Sequence, residues 1–213
     1  MLRGLVFALA TLVVVVGAAS AGGASRTVVI TNVTPFTAGG RVRGGLRVVR
    51  NVQGTCEPGS DSLPNNVYRC FFGNNVVDPC WRNWRSVAPE VVCLQEPWAS
   101  TVIRLQLAAP PPPTTGHADL RAEPWGITLR SGARCLAAQG AHDTLSGRGG
   151  SPVIDYYCGK PVALVRGINR GRATWTIRAA RITHNLSHFY ALIGLLPIKT
   201  AWFGGNDPLS SRP

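Results

Sequence analysis

Residues 56–93 read CEPGSDSLPNNVYRCFFGNNVVDPCWRNWRSVAPEVVC, and they hold four of the six cysteines and two of the six tryptophans. Within them, short runs of β-branched and aromatic residues such as Val67–Phe72 alternate with turn-forming residues such as Gly73, Asn74 and Asn75. This pattern of short strands and turns recurs along the chain and favours a mostly β fold. We therefore expect disulfide-stapled antiparallel β structure, in one domain or two small β lobes, behind an N-terminal signal-peptide helix.

The six cysteines are expected to be paired as disulfides. An even cysteine count in an exported chain is typical of an oxidising compartment. The sequence leaves the connectivity open, and nearest-neighbour pairing is the hypothesis that we prefer: Cys56–Cys70, Cys80–Cys93 and Cys135–Cys158. Zinc is the competing use of cysteine, but the chain has no C-x-x-C pair, and the spacing from Cys70 to Cys80 is too wide for a ligand knuckle. We expect no metal site and no cysteine nucleophile.

The start of the chain has the three zones of a secretory signal peptide. Arg3 supplies a positive start, residues 5–16 form an apolar run with Thr11 as its one polar residue, and Ala19–Ala21 completes an A-x-A cleavage pattern. The apolar run is shorter than the roughly 20 residues that a membrane-spanning helix needs. The sequence therefore predicts cleavage near Ala21 and a mature protein that is secreted or associated with the cell envelope.

The mature chain is long enough for one domain or two small ones. Four consecutive prolines, Pro110–Pro113, favour an extended polyproline II segment and mark a boundary. The expected organisation is a signal peptide, a flexible or β N-terminal segment, a first β lobe, a proline-rich linker, a second β lobe and a tail, at residues 1–21, 22–45, 46–109, 110–123, 124–205 and 206–213.

The strand predictions rest on alternation of apolar and polar residues, which is clearest in Thr101–Leu107 and Thr174–Ile182. Residues Thr37–Gly45, with four glycines and two arginines, are expected to form a loop. The pattern of Val76–Cys80 indicates a turn. Residues Ser187–Leu196 fit a short helix or a strand, and this alternative stays open.

The chain carries a formal net charge of +12, and only Lys160 and Lys199 of its 22 basic residues are lysines. The arginine bias, with abundant Ala, Gly, Val and Pro, is typical of a GC-rich bacterial genome. Outside a cell, such a basic surface is attracted to anionic polymers and lipid headgroups. Nucleic acid is a poorer candidate, because the chain is exported and its arginines are scattered singly.

The order of several short motifs resembles a family of exported actinobacterial proteins to which no activity is assigned. The motifs are GTCEPGS, YRCFFGN, DPC, VVCL, PW, PWGITLRSGARC, YYCG and TWTI, at residues 54–60, 68–74, 78–80, 91–94, 97–98, 124–135, 156–159 and 174–177. The resemblance covers roughly Gly44–Phe203, and the cysteine order is its specific part. It implies a secreted, disulfide-bonded domain, supports the nearest-neighbour pairing, and carries no catalytic residue onto this chain.

Candidate binding residues lie within and after the first group of cysteines. They are Trp81, Arg82, Trp84, Arg85 and Trp98. Indoles stack on the flat faces of sugars, and the two arginines suit a carboxylate or a phosphate. The competing interpretation is that the tryptophans pack against the disulfides as core residues, as they often do in small β domains.

Candidate catalytic residues do not form a recognisable set. His184 and His188 lie four apart, but the intervening sequence lacks the glutamate of a zinc protease motif. The chain has no G-x-S-x-G for a hydrolase nucleophile. Asp78 lacks a partner carboxylate at a useful spacing, and an Asp before Pro is expected to cap the backbone of a turn.

The function expected from these observations is non-catalytic binding in or outside the bacterial cell envelope by a monomer that uses no cofactor. The expected partner is an anionic cell-wall polymer, lipid headgroups or an envelope protein. The alternative is an extracellular hydrolase or a protein inhibitor.

Overall fold

A computed structural model of the chain describes residues 25–60, 63–83, 85–111, 123–138, 144–145, 151–159, 161–182 and 190–204. These residues form strands, turns and irregular segments, with no helix among them, so none of the described segments could cross a bilayer as a helix. The strands are β1 (Val28–Val33), β2 (Arg47–Ser60), β3 (Leu63–Phe72), β4 (Asn75–Arg82), β5 (Glu90–Cys93), β6 (Thr101–Leu107), β7 (Gly126–Leu129), β8 (Arg134–Ala137), β9 (Ile154–Tyr157), β10 (Val162–Asn169), β11 (Thr176–Ile182) and β12 (Tyr190–Gly204).

The predicted mostly β fold is confirmed. Most of its strands pair antiparallel, but β1 with β12 and β2 with β6 are parallel pairs. The predicted signal peptide, most of the proline-rich linker and the tail after residue 205 lie outside the described residues.

Strands β2 to β6 form a closed barrel, here called the first barrel. Consecutive strands pair antiparallel, and β6 returns to lie parallel to β2 with Arg47 opposite Thr101 and Gly54 opposite Leu107. Alternation along β6 points Ile103 and Leu105 into the barrel, where they pack with Tyr68 and the cysteines. The closure explains the strong alternation of this strand in the sequence.

The predicted disulfide pairing is confirmed for all three bridges. Cys56 lies directly opposite Cys70 on β2 and β3, and Cys80 lies directly opposite Cys93 on β4 and β5. The third bridge joins β8 to the residue after β9 in the second sheet. Each bridge of the first barrel therefore links neighbouring strands, and cysteines that are near in sequence pair because consecutive strands of the barrel lie side by side.

The predicted turn at Val76–Cys80 is wrong, because these residues belong to β4. Asp78 does not sit in a turn as a backbone cap either. It is buried at 2% exposure, accepts a hydrogen bond from the Ser60 hydroxyl, and lies 3.4 Å from the Arg69 guanidinium nitrogen Nε. A buried carboxylate needs such partners, and they come from strands β2 and β3.

The remaining strands form a second sheet in the order β1-β12-β11-β10-β9-β8-β7, and β7 also pairs with β12. The sheet therefore closes on itself, with β1 added beside β12 and parallel to it. Its interior contains Ile127, Leu164, Ile177 and Ile198, each almost fully buried. Strand β1 precedes the first barrel in the chain, but it belongs to the second sheet, whose other strands follow the barrel.

The two sheets share one hydrophobic cluster. Val67, Trp81, Val92 and Val102 of the first barrel pack there with Trp125, which precedes β7. Residues of the segment 30–36 join the same cluster. This contact explains why β6 carries apolar residues on successive positions: Val102 faces the shared cluster, whereas Ile103 faces the barrel interior.

Candidate functional site

The loop between β1 and β2 is held in a defined shape by its own hydrogen bonds. Phe36 and Val42 form an isolated antiparallel bridge. The backbone N–H of Thr37 donates to the carbonyl of Arg41 at 2.8 Å. The Thr37 hydroxyl also donates to that carbonyl, and it accepts from the backbone N–H of Arg41, each at 3.3 Å. Phe36 is 9% exposed and packs in the cluster shared by the two sheets. The loop therefore has an apolar anchor on one side and presents Arg41 and Arg43, both exposed, on the other.

This loop docks on the turn that follows β4. The Asn83 side-chain nitrogen Nδ2 donates to the Gly40 carbonyl at 2.9 Å, and Asn83 Oδ1 accepts from the backbone N–H of Arg85 at 3.1 Å. Gly40 has a φ of 76° and is buried against this turn. A Cβ at Gly40 would lie 2.9 Å from Asn83 Oδ1 and 3.1 Å from Arg85 Cβ. Only a glycine allows this approach, which brings the backbone of Gly40 beside Arg85.

Arg82, at the end of β4, is partly buried beside the same turn. Its Nε is buried and has no hydrogen-bond partner in the protein. Burial raises the pKa of Tyr68, and the positive charge of Arg82 opposes that rise. Arg82 therefore lies near enough to Tyr68 for its charge to act on the phenol. We call Arg41, Arg43, Arg82 and Arg85 the arginine surface.

The carboxylates nearest to the arginine surface in sequence are bound by other side chains. Residues 34–46 and 81–89 contain no acidic residue. Asp78 is paired with Arg69. Glu90 lies 3.7 Å from Arg104 Nε and accepts a hydrogen bond from the Gln106 amide at 3.2 Å. The two segments that carry the arginine surface therefore bring positive charge with no carboxylate of their own, and arginine forks suit carboxylates and phosphates.

The predicted binding tryptophans are not brought together on this surface. Trp81 is 2% exposed and contacts Trp125 within the core, so its indole is closed to a ligand at the surface. This agrees with the competing interpretation, in which tryptophans pack as core residues. Trp84 lies outside the described residues. Of the five predicted binding residues, Arg85 lies beside Gly40 of the docked loop, and Arg82 is the last residue of β4.

Trp98 is partly buried at the junction of the two sheets. Its ring meets Trp202 of β12 edge to face with centroids 6.3 Å apart, and the Arg134 guanidinium carbon lies 5.3 Å from its ring centroid. A Cβ at Gly126 would approach its Cζ3 to 3.1 Å. Trp98 thus contributes to the packing of the sheets, and its cation–π partner is Arg134.

A second group of ionisable residues lies at one end of the second sheet. Glu123, half-exposed, forms an ion pair with Arg170 at 3.1 Å, and Arg170 also lies 5.1 Å from the ring centroid of Trp175. Burial raises the pKa of Glu123, against the effect of Arg170. Burial, with the negative charges of Glu123 and Asp155, raises the pKa of Tyr156 well above its ordinary value, and its hydroxyl donates to the Pro124 carbonyl at 2.7 Å. These groups are bound to one another, so the arrangement is that of a structural network.

A cavity of about 330 Å³ opens beside the first barrel. Its lining has one charged residue, Arg50, whose guanidinium carbon lies 5.9 Å from the Phe72 ring centroid. Carboxylates, histidines and nucleophilic hydroxyls are missing from the lining, which consists of Val49, Arg50, Phe72, Asn75, Val76, Val77, Gln95 and Ile103. The described residues that line the cavity therefore supply none of the groups that acid–base or covalent catalysis requires.

The sulfur atoms of Cys70, Cys80 and Cys93 lie within 4.8 Å of one another, which is close enough for three ligands of one metal ion. All three atoms are engaged in disulfides, however, and a disulfide sulfur offers no thiolate to a metal. The two bridges of the first barrel are therefore packed side by side in its interior.

The arginine surface includes residues that sequence reasoning did not select for binding. The glycine-rich segment that carries Gly40, Arg41 and Arg43 is a loop, as predicted, but its docking partner is 43 residues away in the chain. Two features of the sequence are compatible with this docking. Glycine at position 40 permits a close approach of the backbone, and the side chain of Asn83 can both donate and accept hydrogen bonds.

Comparisons with protein-family models, with curated proteins and with solved structures found no match to this chain. The resemblance drawn from the cysteine order therefore remains a hypothesis.

Proposed function

We propose that this protein is exported to the bacterial cell envelope, where it binds anionic polymer without catalysis through the arginine surface. The observation that carries the proposal is the hydrogen bond between Asn83 and Gly40, because it unites arginines from two distant segments. The polymer class is one that bears repeated phosphate or carboxylate groups, which arginine forks bind.

The proposed location in the cell envelope has separate support. Three disulfides are consistent with an extracellular location, since such bonds persist in oxidising compartments. The signal-peptide pattern, the composition and the resemblance to exported actinobacterial proteins favour a bacterial envelope. The net charge of +12 favours attraction to anionic walls at long range.

Binding to an immobilised phosphate-rich polymer, with inorganic polyphosphate as the probe, tests the proposal. The variant Arg41→Gln/Arg85→Gln removes two charges from the arginine surface. The control variant, Arg26→Gln/Arg172→Gln, removes two exposed charges from elsewhere. We expect the first variant to weaken binding about tenfold and the control to change it little, because exposed charge pairs contribute up to about 1 kcal/mol each.

A second pair of variants tests the docking of the loop and leaves the charge unchanged. Gly40→Ala places a Cβ against Asn83 and Arg85, whereas Gly39→Ala meets only the Thr37 hydroxyl oxygen at 3.7 Å. We expect Gly40→Ala to weaken polymer binding and Gly39→Ala to preserve it. Equal binding by all four variants and the unaltered protein would refute the proposal.

The same binding experiment distinguishes the proposal from the alternative functions, an extracellular inhibitor or hydrolase. Binding to polymer should fall as salt rises, because the contacts are exposed and charged. Tight binding to a single protein that persists at high salt would instead favour the inhibitor, and turnover of a glycan or peptide substrate would favour the hydrolase.

A further inference from the structure

The first half of β12 lies at an open edge of the second sheet. Residues 190–197 pair with β11 on one side, from Tyr190 opposite Ile182 to Pro197 opposite Thr176. On the other side, β7 pairs with β12 only from Ile198 onward. Among the described strands, none covers the second side of residues 190–196. We call residues 190–196 together with β11 the apolar ribbon.

The apolar ribbon exposes large aliphatic side chains. Leu192 is 43% exposed, Ile193 is 47% exposed and Leu195 is 56% exposed. They lie within a run of seven residues, YALIGLL, that contains no charged or strongly polar side chain. Single exposed leucines are common on protein surfaces, but three within four residues form a contiguous patch.

A β-bulge shapes this patch. Ala179 lies opposite Gly194 and Ala180 lies opposite Leu192, so Ile193 is the extra residue in β12. Gly194 has a φ of 132°, which an aliphatic residue would rarely adopt. Bulges twist a strand and interrupt its ladder. The bulge therefore disfavours addition of another strand along this edge while it leaves the aliphatic side chains exposed.

A cation lies beside the aliphatic patch. Arg178 lies directly opposite Leu195, and Ala180 opposite Leu192, so Arg178 shares the face of the ribbon that carries both leucines. Arg181 lies opposite Ala191 and belongs to the other face. Neither β11 nor β12 contains an acidic residue. Long arginine side chains can keep their charge at a polar boundary while their stems lie along apolar surface.

We propose that the apolar ribbon inserts its aliphatic side chains into the surface of an anionic lipid membrane. Leu192, Ile193 and Leu195 would enter the boundary between headgroups and acyl chains, and Arg178 would contact lipid phosphates. Interfacial elements combine exposed apolar residues with flanking cations in this way. A second copy of the chain is a less favourable occupant, because edge-to-edge contact would bring the arginines of two strongly basic molecules together.

The proposal is independent of the polymer site, since the ribbon and the arginine surface lie on different sheets. The test is co-sedimentation with vesicles of phosphatidylglycerol and phosphatidylcholine, compared with phosphatidylcholine alone. The protein is collected after export and its mass is checked, because residues 5–16 would themselves bind lipid if they were retained. The test variant is Leu192→Ser/Leu195→Ser.

The control variant is Val87→Ser/Val153→Ser, which removes two aliphatic side chains that are 98% and 43% exposed outside the ribbon. We expect the unaltered protein and the control to bind anionic vesicles equally, and the ribbon variant to bind at least tenfold more weakly. Arg178→Gln should weaken binding to anionic vesicles, because it removes the cation beside the patch. Circular dichroism should show the same fold for each variant, because the altered side chains are exposed.

A second measurement reads insertion directly. In Leu195→Trp, the new indole should be quenched by brominated acyl chains, and a tryptophan placed at Val87 should not be. The proposal is overturned if the unaltered protein fails to bind anionic vesicles, or if the ribbon variant binds as well as the control. It is also overturned if the aliphatic side chains instead support a concentration-dependent dimer, or if vesicle binding is lost in Arg41→Gln/Arg85→Gln but not in the ribbon variant.

Discussion

Trp81 of the first barrel meets Trp125 of the second sheet edge to face, with ring centroids 5.7 Å apart and ring planes at 71°. Both side chains are almost fully buried, in the cluster to which both sheets contribute. The two indoles therefore connect the packing of one sheet to that of the other, and the sheets are expected to lose their structure together.

Trp125→Ala should lower the free energy of unfolding by about 3–5 kcal/mol, because it opens a large cavity between the sheets. Trp125→Phe should cost less, since the indole Nε1 is buried without a hydrogen-bond partner and no bond is lost. Denaturant unfolding followed by circular dichroism measures both, with the partly buried Trp175→Ala as control. Two separate transitions, with only one altered, would contradict the shared core.

Gly54→Ala should destabilise the first barrel by about 1–3 kcal/mol through overpacking. A Cβ at Gly54 would lie 2.6 Å from the Phe71 carbonyl oxygen and 2.7 Å from Leu105 Cδ2. Gly44→Ala is the matched control, because its Cβ would meet nothing within 4 Å. Thermal unfolding compares the two, and an equal midpoint for both variants would show that the barrel can relax around the added methyl group.

Cys56→Ala should allow disulfide exchange inside the first barrel. It leaves Cys70 as a thiol whose sulfur lies within 4.8 Å of both sulfurs of the Cys80–Cys93 bridge. The Cys70 thiolate can attack either sulfur, form a new bond to it, and release the other as a thiolate. Non-reducing peptide mapping should therefore find Cys70 bonded to Cys80 or Cys93 in part of the population.

Cys158→Ala provides the control for that exchange, because its orphaned partner Cys135 belongs to the second sheet. Its peptide map should retain both bridges of the first barrel. A map of Cys56→Ala in which Cys70 is always the free thiol would contradict the expected exchange.

Alkaline pH should destabilise the protein through Tyr156. Its pKa lies well above the ordinary 10.0 because its hydroxyl is buried. The unfolded chain therefore loses this proton first, and the stability that is present below pH 10 declines as pH rises further. In Tyr156→Phe, the free energy of unfolding should fall less steeply with pH, by about 1.4 kcal/mol per pH unit. The variant also loses the hydrogen bond to Pro124, which lowers its stability equally at every pH below 10.

The control for the alkaline experiment is Tyr157→Phe, which removes the hydroxyl of an exposed tyrosine at the next position. Unfolding free energies measured by denaturant titration at several pH values above 10 should keep the same slope in that variant. An unchanged slope in Tyr156→Phe would mean that other groups, such as the buried Tyr68, govern the alkaline loss.

Alternation of apolar and polar residues was sufficient to predict strands such as Thr101–Leu107, because one side of that strand is buried and the pattern is local. The same reasoning misassigned Val76–Cys80, since the proline and the aspartate there are typical of turns. Their place in β4 depends on Ser60 and Arg69, which supply partners for the buried carboxylate from other strands.

The proposed arginine surface includes two residues, Arg82 and Arg85, that were selected from the sequence. Trp81, selected from the same segment at the end of β4, is a core residue. Alternation indicates which residues of a strand share a face, and it does not indicate what covers that face. Trp81 is buried because the second sheet covers it.

The sequence by itself determined the β class of the protein, because alternation depends on residues that are close in the chain. It favoured pairing of neighbouring cysteines, and the structure decided that pairing. The tertiary structure decided that β1 joins the sheet at the far end of the chain and that the two sheets share a core. It also decided that the loop around Gly40 docks against Asn83. The physical reason is that these contacts are selected by complementary shape and hydrogen bonding between distant surfaces, which leave no periodic signal in the sequence.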